Sequence, residues 1–282
     1  MSKRILFMGT PDYATTIFKE LMNSEYEIVG LFTQPDKPVG RKQILTAPHI
    51  KQYCIDENIN LPIFQPLKLR GNEEATKQIT ELKPDFIIVA AYGQILPKEI
   101  LDIAPCINLH ASLLPKYRGA SPIQESLLND DIYTGVTSML MEEGLDSGDI
   151  LGLQYLRITS TMEVSEAFEK LSLIAAKLTI TTLDNFENIK PIKQNESQVS
   201  FCKKIKKEDG LIDFIDAKKL YLKYKAYSYW PGIFLESELK LKDIELNDEK
   251  SINNQGQILE INSDFIIVGC EKGSLKIKTL QA

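Results

Sequence analysis

The chain has 282 residues, more than one average domain holds, and this length favours two domains with separate cores. A hydrophobic content of 43% and a charged content of 26% exclude a disordered chain. The net charge of −6 argues against a protein whose whole surface binds nucleic acid, because phosphate contacts require an excess of lysine and arginine.

The cysteines, the histidines and the N-terminus further limit the class of protein that this chain can be. The four cysteines are far apart and there are only two histidines, so their spacing indicates neither a disulfide framework nor a structural metal site. The N-terminal apolar run is much shorter than the core of a signal peptide or a membrane span. We therefore expect a cytoplasmic protein that binds no metal and does not contact a membrane.

Strand and helix patterns alternate along the first half of the chain. The segment 85–92 is almost continuously apolar, which is typical of a strand covered on both faces in a parallel sheet. The pattern predicts an α/β fold with a doubly wound, mainly parallel sheet. The predicted elements are strands at 4–8, 27–32, 85–92, 106–109, 135–141 and 151–158, and helices at 12–22, 48–57, 73–82, 122–128 and 163–186.

A polar stretch without periodicity follows at about 187–200 and is the best candidate for a linker. Beyond it, a helix precedes five short alternating runs, which is consistent with a small β-barrel. We therefore predict a catalytic domain over 1–188, a linker over 189–203 and a C-terminal domain over 204–282. The helix lies at 217–227 and the runs at 233–236, 239–246, 257–261, 265–268 and 275–277.

The strongest candidate for chemistry is the segment that contains Asn108 and His110. Residues two apart in a strand share a face, so these two polar side chains point the same way while Leu109 lies behind them. The chain leaves the strand after His110, and ligands bind at the carboxyl ends of strands in open parallel sheets. The loop 144–149 has glycines on both sides of Asp146 and could bring a carboxylate to the same rim.

These residues also allow a purely structural interpretation. A single histidine near an apolar strand is more often a packed core residue, and Asn108 could cap a turn.

An Asn, His and Asp set without a serine or cysteine nucleophile suits acyl transfer to an amine, because the enzyme then stabilises an oxyanion and moves protons. Each oxyanion donor is worth roughly 2.7–4 kcal/mol.

The turn Gly9-Thr10-Pro11 after the first strand resembles the opening of a nucleotide-binding unit. The full G-x-G-x-x-G pattern is absent, so dinucleotide binding is weakly indicated. Packing of the following helix against the strand accounts equally for a glycine at this turn.

Several segments occur in the order found in one enzyme family: MGTPDYA, TQPDKPVGR, VAAYGQILP, INLHASLLPKYRGASPIQ, GVTSMLMEEGLDSGDIL and YSYWPGIF. The chain resembles the methionyl-tRNA formyltransferases over nearly its whole length. The NxH, SLLPxxRG and LDxGD set alone specifies only the wider group of folate-dependent formyltransferases. The TQPDKPVGR and WPG segments narrow the resemblance.

The resemblance implies formyl transfer from 10-formyltetrahydrofolate to the α-amine of methionine on initiator tRNA, for translation initiation. It implies a Rossmann-like formyltransferase domain, a C-terminal OB-like β-barrel domain, and a catalytic set of Asn108, His110 and Asp146. Ordinary core packing is the alternative for the apolar residues that the resemblance assigns to folate binding. The residues so assigned are Ser112, Leu113, Leu114, Pro115, Gln94, Ile95 and Leu96.

The resemblance also implies contacts with tRNA. Relatives insert a loop after the second strand that reaches the acceptor stem, and in this chain it is 35–47, with Lys37, Arg41 and Lys42. Relatives tend to have GKK after the arginine, whereas here Gln43 follows Lys42, which reduces the basic charge. Lys206 and Lys207, near the start of the C-terminal domain, are further candidates. For all five residues, the alternative is an ordinary charged surface exposed to solvent. We expect the protein to be a monomer.

Three other functions remain open at this point. The same catalytic residues would serve a formyltransferase that acts on an amino-sugar nucleotide. A folate- or tRNA-binding protein without activity is a second alternative, although binding alone does not require the catalytic set. A dinucleotide-dependent oxidoreductase is the third, and the missing glycines after Gly9 count against it.

Overall fold

The computed structural model describes residues 2–40 and 42–281, which form two compact units. The first unit comprises Met1–Gly119, Gly135–Leu156 and Glu169–Phe201, and the second comprises Ala120–Thr134, Arg157–Phe168 and Cys202–Ala282. This division follows spatial proximity, whereas the boundaries at 188 and 204 follow composition along the chain, and those boundaries stay a prediction.

Strands and helices alternate over the first two thirds of the chain, and the last third is mostly strand. The strands are β1 Arg4–Gly9, β2 Glu27–Phe32, β3 Lys37–Val39, β4 Ile44–Thr46, β5 Ile63–Phe64, β6 Phe86–Ala90, β7 Cys106–His110, β8 Arg118–Gly119, β9 Tyr133–Leu140, β10 Ile150–Arg157, β11 Phe201–Cys202, β12 Ile233–Phe234, β13 Lys240–Asp248, β14 Ile258–Ile261, β15 Ile266–Gly269 and β16 Ser274–Gln281. The helices are α1 Asp12–Met22, α2 His49–Asp56, α3 Glu73–Leu82, α4 Lys98–Leu101, α5 Pro122–Leu128, α6 Val164–Asp184 and α7 Ala217–Tyr227.

A seven-stranded sheet, ordered β10-β9-β7-β6-β1-β2-β5, organises the first unit. Strands β5, β2, β1, β6 and β7 are parallel, which confirms the predicted α/β fold with a mainly parallel sheet. Strand β9 runs antiparallel to β7, with Ile107 opposite Leu140 and His110 opposite Thr137. This reversal sets the direction from which the next loop approaches the strand ends.

Burial explains the central position of β1 and β6. Every residue of β6 is buried, as expected for a strand with packed layers on both faces. A Cβ on Gly9, at the end of β1, would lie 2.6 Å from the Cβ of Ala14 in α1. Close packing of α1 against β1 therefore accounts for this glycine without a bound nucleotide.

The second unit contains an antiparallel sheet of order β12-β13-β16-β15-β14. The core of this sheet includes Leu241 and Ile244 of β13 and Leu275 and Ile277 of β16, all buried. The predicted barrel is not closed, because within the described residues β12 and β14 are edge strands. These strands have two and four residues, and each pairs with one neighbour.

Two other features concern the surface. The antiparallel hairpin β3–β4, which alternation did not predict, carries exposed residues throughout both strands. Within residues 2–40 and 42–281, no helix is long and apolar enough to cross a membrane.

Candidate active site

The end of β7 carries the two polar side chains that the sequence singled out. Asn108 is half-buried and His110 is buried, and Leu109 between them is 1% exposed. The carbonyl of Leu109 accepts a hydrogen bond from the Tyr13 hydroxyl at 3.2 Å. Burial raises the pKa of Tyr13, so this hydroxyl stays protonated and holds the strand in place.

Asp146 meets both of these side chains. Its Oδ1 lies 3.5 Å from Asn108 Nδ2, and its Oδ2 lies 3.7 Å from His110 Nδ1. The backbone N–H of Gly119 donates to the same Oδ2 at 2.8 Å. The structure thus brings the three predicted catalytic residues together around one carboxylate.

The sequence led us to expect that the Asp146 loop would reach the rim at the carboxyl end of β7. In the structure the loop approaches β7 from the other end. Because β9 is antiparallel to β7, the loop 141–149 starts beside Cys106, where Met141 N–H donates to the Cys106 carbonyl. The loop must fold back over the face of β7 by two to four residues, or about 7–13 Å, to reach Asn108 and His110. Asp146 therefore covers the strand face and does not extend from the same rim.

The two ring nitrogens of His110 have different neighbours. Nε2 lies 2.9 Å from the carbonyl oxygen of Tyr117, which can only accept, so Nε2 carries a hydrogen. Nδ1 faces the Asp146 carboxylate, whose Oδ2 lies 3.7 Å away, beyond hydrogen-bond distance. Nδ1 is therefore the ring nitrogen that remains for proton exchange at the site.

Two residues of the site have an unusual backbone conformation. Tyr117 and Asp146 have φ of 62° and 48°, in the left-handed region that non-glycine residues seldom adopt. Such residues cost of order 1–3 kcal/mol each and persist where the surroundings fix them. The backbone at Tyr117 presents its carbonyl to His110, and the backbone at Asp146 presents its carboxylate to Gly119.

The thiol on the strand that carries Asn108 and His110 is not a nucleophile. Cys106 begins β7, and its thiol is buried and donates to the Ala104 carbonyl at 3.4 Å. Burial raises the pKa of Cys106 to about 12, which leaves it as the neutral thiol at physiological pH. The geometry suits direct transfer between two bound substrates without a covalent enzyme intermediate.

The segment assigned to folate by resemblance follows β7 directly. Ser112 and Leu114 are buried and held by Thr137, whose hydroxyl donates to Ser112 O at 2.7 Å and accepts from Leu114 N–H at 3.0 Å. Leu113 and Pro115 are half-buried. The Ser112 hydroxyl donates to the Lys116 carbonyl at 2.6 Å and the Leu114 side chain is buried, so the partly exposed Leu113 and Pro115 are the side chains accessible to a ligand.

The second such segment, Gln94 to Leu96, follows β6. Strands β6 and β7 are parallel neighbours with Val89 opposite Asn108, so both segments leave the sheet at the same edge. Gln94 binds the preceding loop through Leu69 N–H and Pro66 O, and Leu96 is buried, whereas Ile95 is 74% exposed. Of these side chains, Ile95 is the most accessible to a ligand.

The residues assigned to tRNA occupy two separate surfaces. Lys37 and Lys42 are exposed on the β3–β4 hairpin, and Arg41 lies outside the described residues. Lys206 and Lys207 are exposed in the second unit, where Lys207 Nζ lies 3.7 Å from a Glu238 carboxylate oxygen.

A charged cluster anchors the start of the hairpin. Lys51 Nζ donates to both carboxylate oxygens of Asp36 at 2.9 Å, and Gln65 Nε2 donates to one of them at 2.7 Å. Hydrogen bonds from Gln65 and Lys51 lower the pKa of Asp36 from its ordinary value. The base of the hairpin is thereby fixed to α2 and β5.

Sequence reasoning missed the groups that hold the set in place. These are the Tyr117 carbonyl, the Gly119 N–H and Gln194, which lies in the stretch predicted to be a linker but is buried. The two glycines that flank Asp146 were the signal for its loop, whereas a glutamine in a polar stretch carries no periodic signal. In the described part of the chain, no three His, Cys, Asp or Glu side chains are grouped as metal ligands.

Two family models and several relatives match this chain. Residues 3–183 match the family model described as formyl transferase, and residues 204–282 match the formyl transferase C-terminal domain. The chain therefore belongs to the class of formyl-transferring enzymes. The chain is 58% identical to a methionyl-tRNA formyltransferase of Nitratiruptor sp. and 57% identical to that of Campylobacter lari, in each case over 99% of this chain and 91% of the relative. It belongs to the methionyl-tRNA formyltransferase family.

Solved structures share the fold at much lower identity. An N-formyltransferase from Helicobacter canadensis, in complex with folinic acid and dTDP-3-aminofucose, has a TM-score of 0.74 at 15% identity, with full coverage of both chains. HypX from Aquifex aeolicus, in complex with tetrahydrofolic acid, has a TM-score of 0.69 at 18% identity over 99% of this chain and 44% of its own.

The two glycines that flank Asp146 offer a matched pair of variants. A Cβ on Gly148 would overlap the backbone carbonyl of Leu140, whereas a Cβ on Gly144 would meet the Ser147 side chain, which can rotate. Gly148→Ala should displace Asp146 and lower the kcat of formyl transfer about 10- to 100-fold. Gly144→Ala should stay close to the parent. Equal losses in the two variants would contradict this account of the loop.

Proposed function

We propose that this enzyme transfers the formyl group of 10-formyltetrahydrofolate to the α-amine of methionine on initiator tRNA, in the cytoplasm, for translation initiation. The observation that carries the proposal is the Asn108, His110 and Asp146 cluster in a chain more than half identical to methionyl-tRNA formyltransferases. The acceptor is taken from those relatives, and the chemistry from the cluster.

The first step is attack of the substrate amine on the formyl carbon, which moves the carbonyl electrons onto oxygen. Asn108 has two amide N–H donors, and its long 3.5 Å contact with Asp146 engages one of them. The other can donate to the developing oxyanion. A protonated His110 would add a charged donor beside the same atom, which would stabilise the transition state more than the ground state.

The second step returns the carbonyl and breaks the bond between the formyl carbon and N10 of the folate. The amine loses one proton and N10 gains one, so the reaction needs a proton carrier and no net acid or base. His110 Nδ1 and Asp146 Oδ2, 3.7 Å apart, are close enough to share that role through a small shift or one water. Tetrahydrofolate and the formylated amine are the products.

The folate would lie against the loops that follow β6 and β7. Their common origin at one sheet edge supports this position, since both loops start within reach of the Asn108 side chain. Ile95, Leu113 and Pro115 offer partly exposed apolar surface for the pterin ring. Ser112 and Leu114 would act through the backbone that they hold.

The first experiment measures transfer of labelled formyl from 10-formyltetrahydrofolate to charged initiator tRNA, elongator methionyl-tRNA and an amino-sugar nucleotide. Label on initiator tRNA alone, lost in Asn108→Ala, is the expected result. Label on the sugar would retain the reaction and replace the acceptor. No label on any acceptor would contradict the proposed activity and favour a folate- or tRNA-binding protein.

Single substitutions at His110 and Asp146 separate catalysis from binding. His110→Ala and Asp146→Asn should each lower kcat by about 10²–10³, because their interactions strengthen in the transition state. The KM for the folate should change little, since neither side chain is assigned to folate contact. Steady-state kinetics of both substrates measures this, and a change confined to KM would refute the catalytic assignment.

Arg41 and Lys42 of the segment 35–47 are expected to contact tRNA phosphates. Replacing both by alanine should raise the KM for tRNA and lessen its dependence on salt, by roughly 0.7–0.9 in log–log slope for each phosphate that is no longer neutralised. Slow hydrolysis of the formyl donor without tRNA should continue at the parent rate. Lys77→Ala, at an exposed lysine of α3, is the matched control, and equal salt slopes in all three proteins would remove the hairpin from the tRNA site.

A further inference from the structure

A polar segment of the first unit, here called the strap, is residues 189–200. Its Ile192 exchanges two backbone hydrogen bonds with Ile150, at 2.8 and 2.9 Å, beside the end of the Asp146 loop. Its Ser200 accepts from the N–H groups of Tyr117 and Arg118, both at 2.9 Å. The strap is therefore bonded to both loops that form the catalytic cluster.

Between these two attachments lies Gln194, which is 8% exposed. Its Nε2 donates to the carbonyl oxygens of Asp146 and Gly148, both at 2.8 Å. Its Oε1 accepts from Arg118 Nε at 3.0 Å and from Arg118 Nη2 at 2.9 Å. Carbonyls only accept and a guanidinium only donates, so one orientation of the amide satisfies all four bonds.

These bonds close a ring through the backbone. Arg118 is followed by Gly119, whose N–H donates to the carboxylate of Asp146, while Gln194 binds the backbone carbonyl of the same aspartate. Asp146 is thus held at its side chain from one loop and at its main chain from the strap. This double restraint fits its left-handed backbone, with φ of 48°, which needs external support.

We propose that Gln194 is a positioning residue for formyl transfer, which fixes the backbone at Asp146 so that the carboxylate stays within reach of Asn108 and His110. The inference rests on the catalytic role proposed above for Asp146. Gln194 itself touches neither substrate and acts only through the 146–148 backbone. A displacement of about 1 Å at a catalytic group can cost about a hundredfold in rate.

Two substitutions at this position separate the two ends of the amide. Gln194→Met has a similar length and removes all four bonds, whereas Gln194→Glu keeps an acceptor for Arg118 and loses the donors to Asp146 and Gly148. Both should lower kcat about 10- to 100-fold with little change in the KM for folate. A residue that merely attached the strap to Arg118 would leave kcat intact in Gln194→Glu, and that result would overturn the proposal.

Glu196→Gln is the matched control. Glu196 also binds Arg118 Nη2, at 2.8 Å, but its side chain is 73% exposed, so this pair should contribute little. Its kcat and thermal midpoint should stay close to those of the parent. Thermal midpoints of all variants, measured alongside kcat, show whether a loss of rate occurs in folded enzyme. If kcat fell as much in Glu196→Gln as in Gln194→Glu, that result would contradict a specific role for Gln194.

Coupling to Asp146 provides the decisive measurement. If Gln194 acts through Asp146, Gln194→Met should lower kcat far less in an Asp146→Asn background than in the parent, because the two effects are not additive. Fully additive losses would overturn the inference and leave the role of Asp146 intact. An Asp146→Asn enzyme with parental kcat would instead refute the catalytic assignment itself, so the two failures are distinguishable.

Discussion

The hydrogen bond from the Gly119 backbone N–H to Asp146 Oδ2 joins the two loops on which the site depends. One loop follows β7 and supplies the Tyr117 carbonyl that orients His110, and the other supplies the carboxylate that faces His110 and Asn108. Gly119 lies in the short strand β8, which pairs with β11, whereas Asp146 lies in a loop without strand structure. Hydrogen bonds from neighbouring segments therefore fix the loop, which is consistent with the left-handed backbone conformations at Tyr117 and Asp146.

Much of the fold followed from local patterns. The helices at 12–22, 73–82 and 217–227 begin and end where the spacing of apolar residues indicated, and the buried run around Ile88 is a central parallel strand. The antiparallel direction of β9 could not be predicted from the sequence, because an apolar run has the same pattern in a parallel and an antiparallel strand. The open sheet of the second unit was not predicted either, because alternation within each strand does not show which strands pair with each other.

The candidate site was predictable to a similar extent. Asn108 and His110 share a face because strand geometry has a period of two, and the glycines around Asp146 indicated a tight loop. The partners that fix this set are backbone groups and one glutamine, Gln194, that lies 48 residues from Asp146 along the chain. Contacts over such separations leave no periodic trace, and a buried glutamine in a polar stretch is indistinguishable by composition from an exposed one.

The return path of the loop 141–149 has an evolutionary consequence. Most surface loops tolerate insertion and deletion, because their ends are fixed and their middle is solvated. This loop starts and ends beside Leu140, where Leu140 N–H donates to the Asp149 carbonyl, and it must still reach His110 near the far end of β7. Its length is therefore as constrained as its chemistry, and among descendants of this gene substitutions at its exposed positions should outnumber changes in residue count.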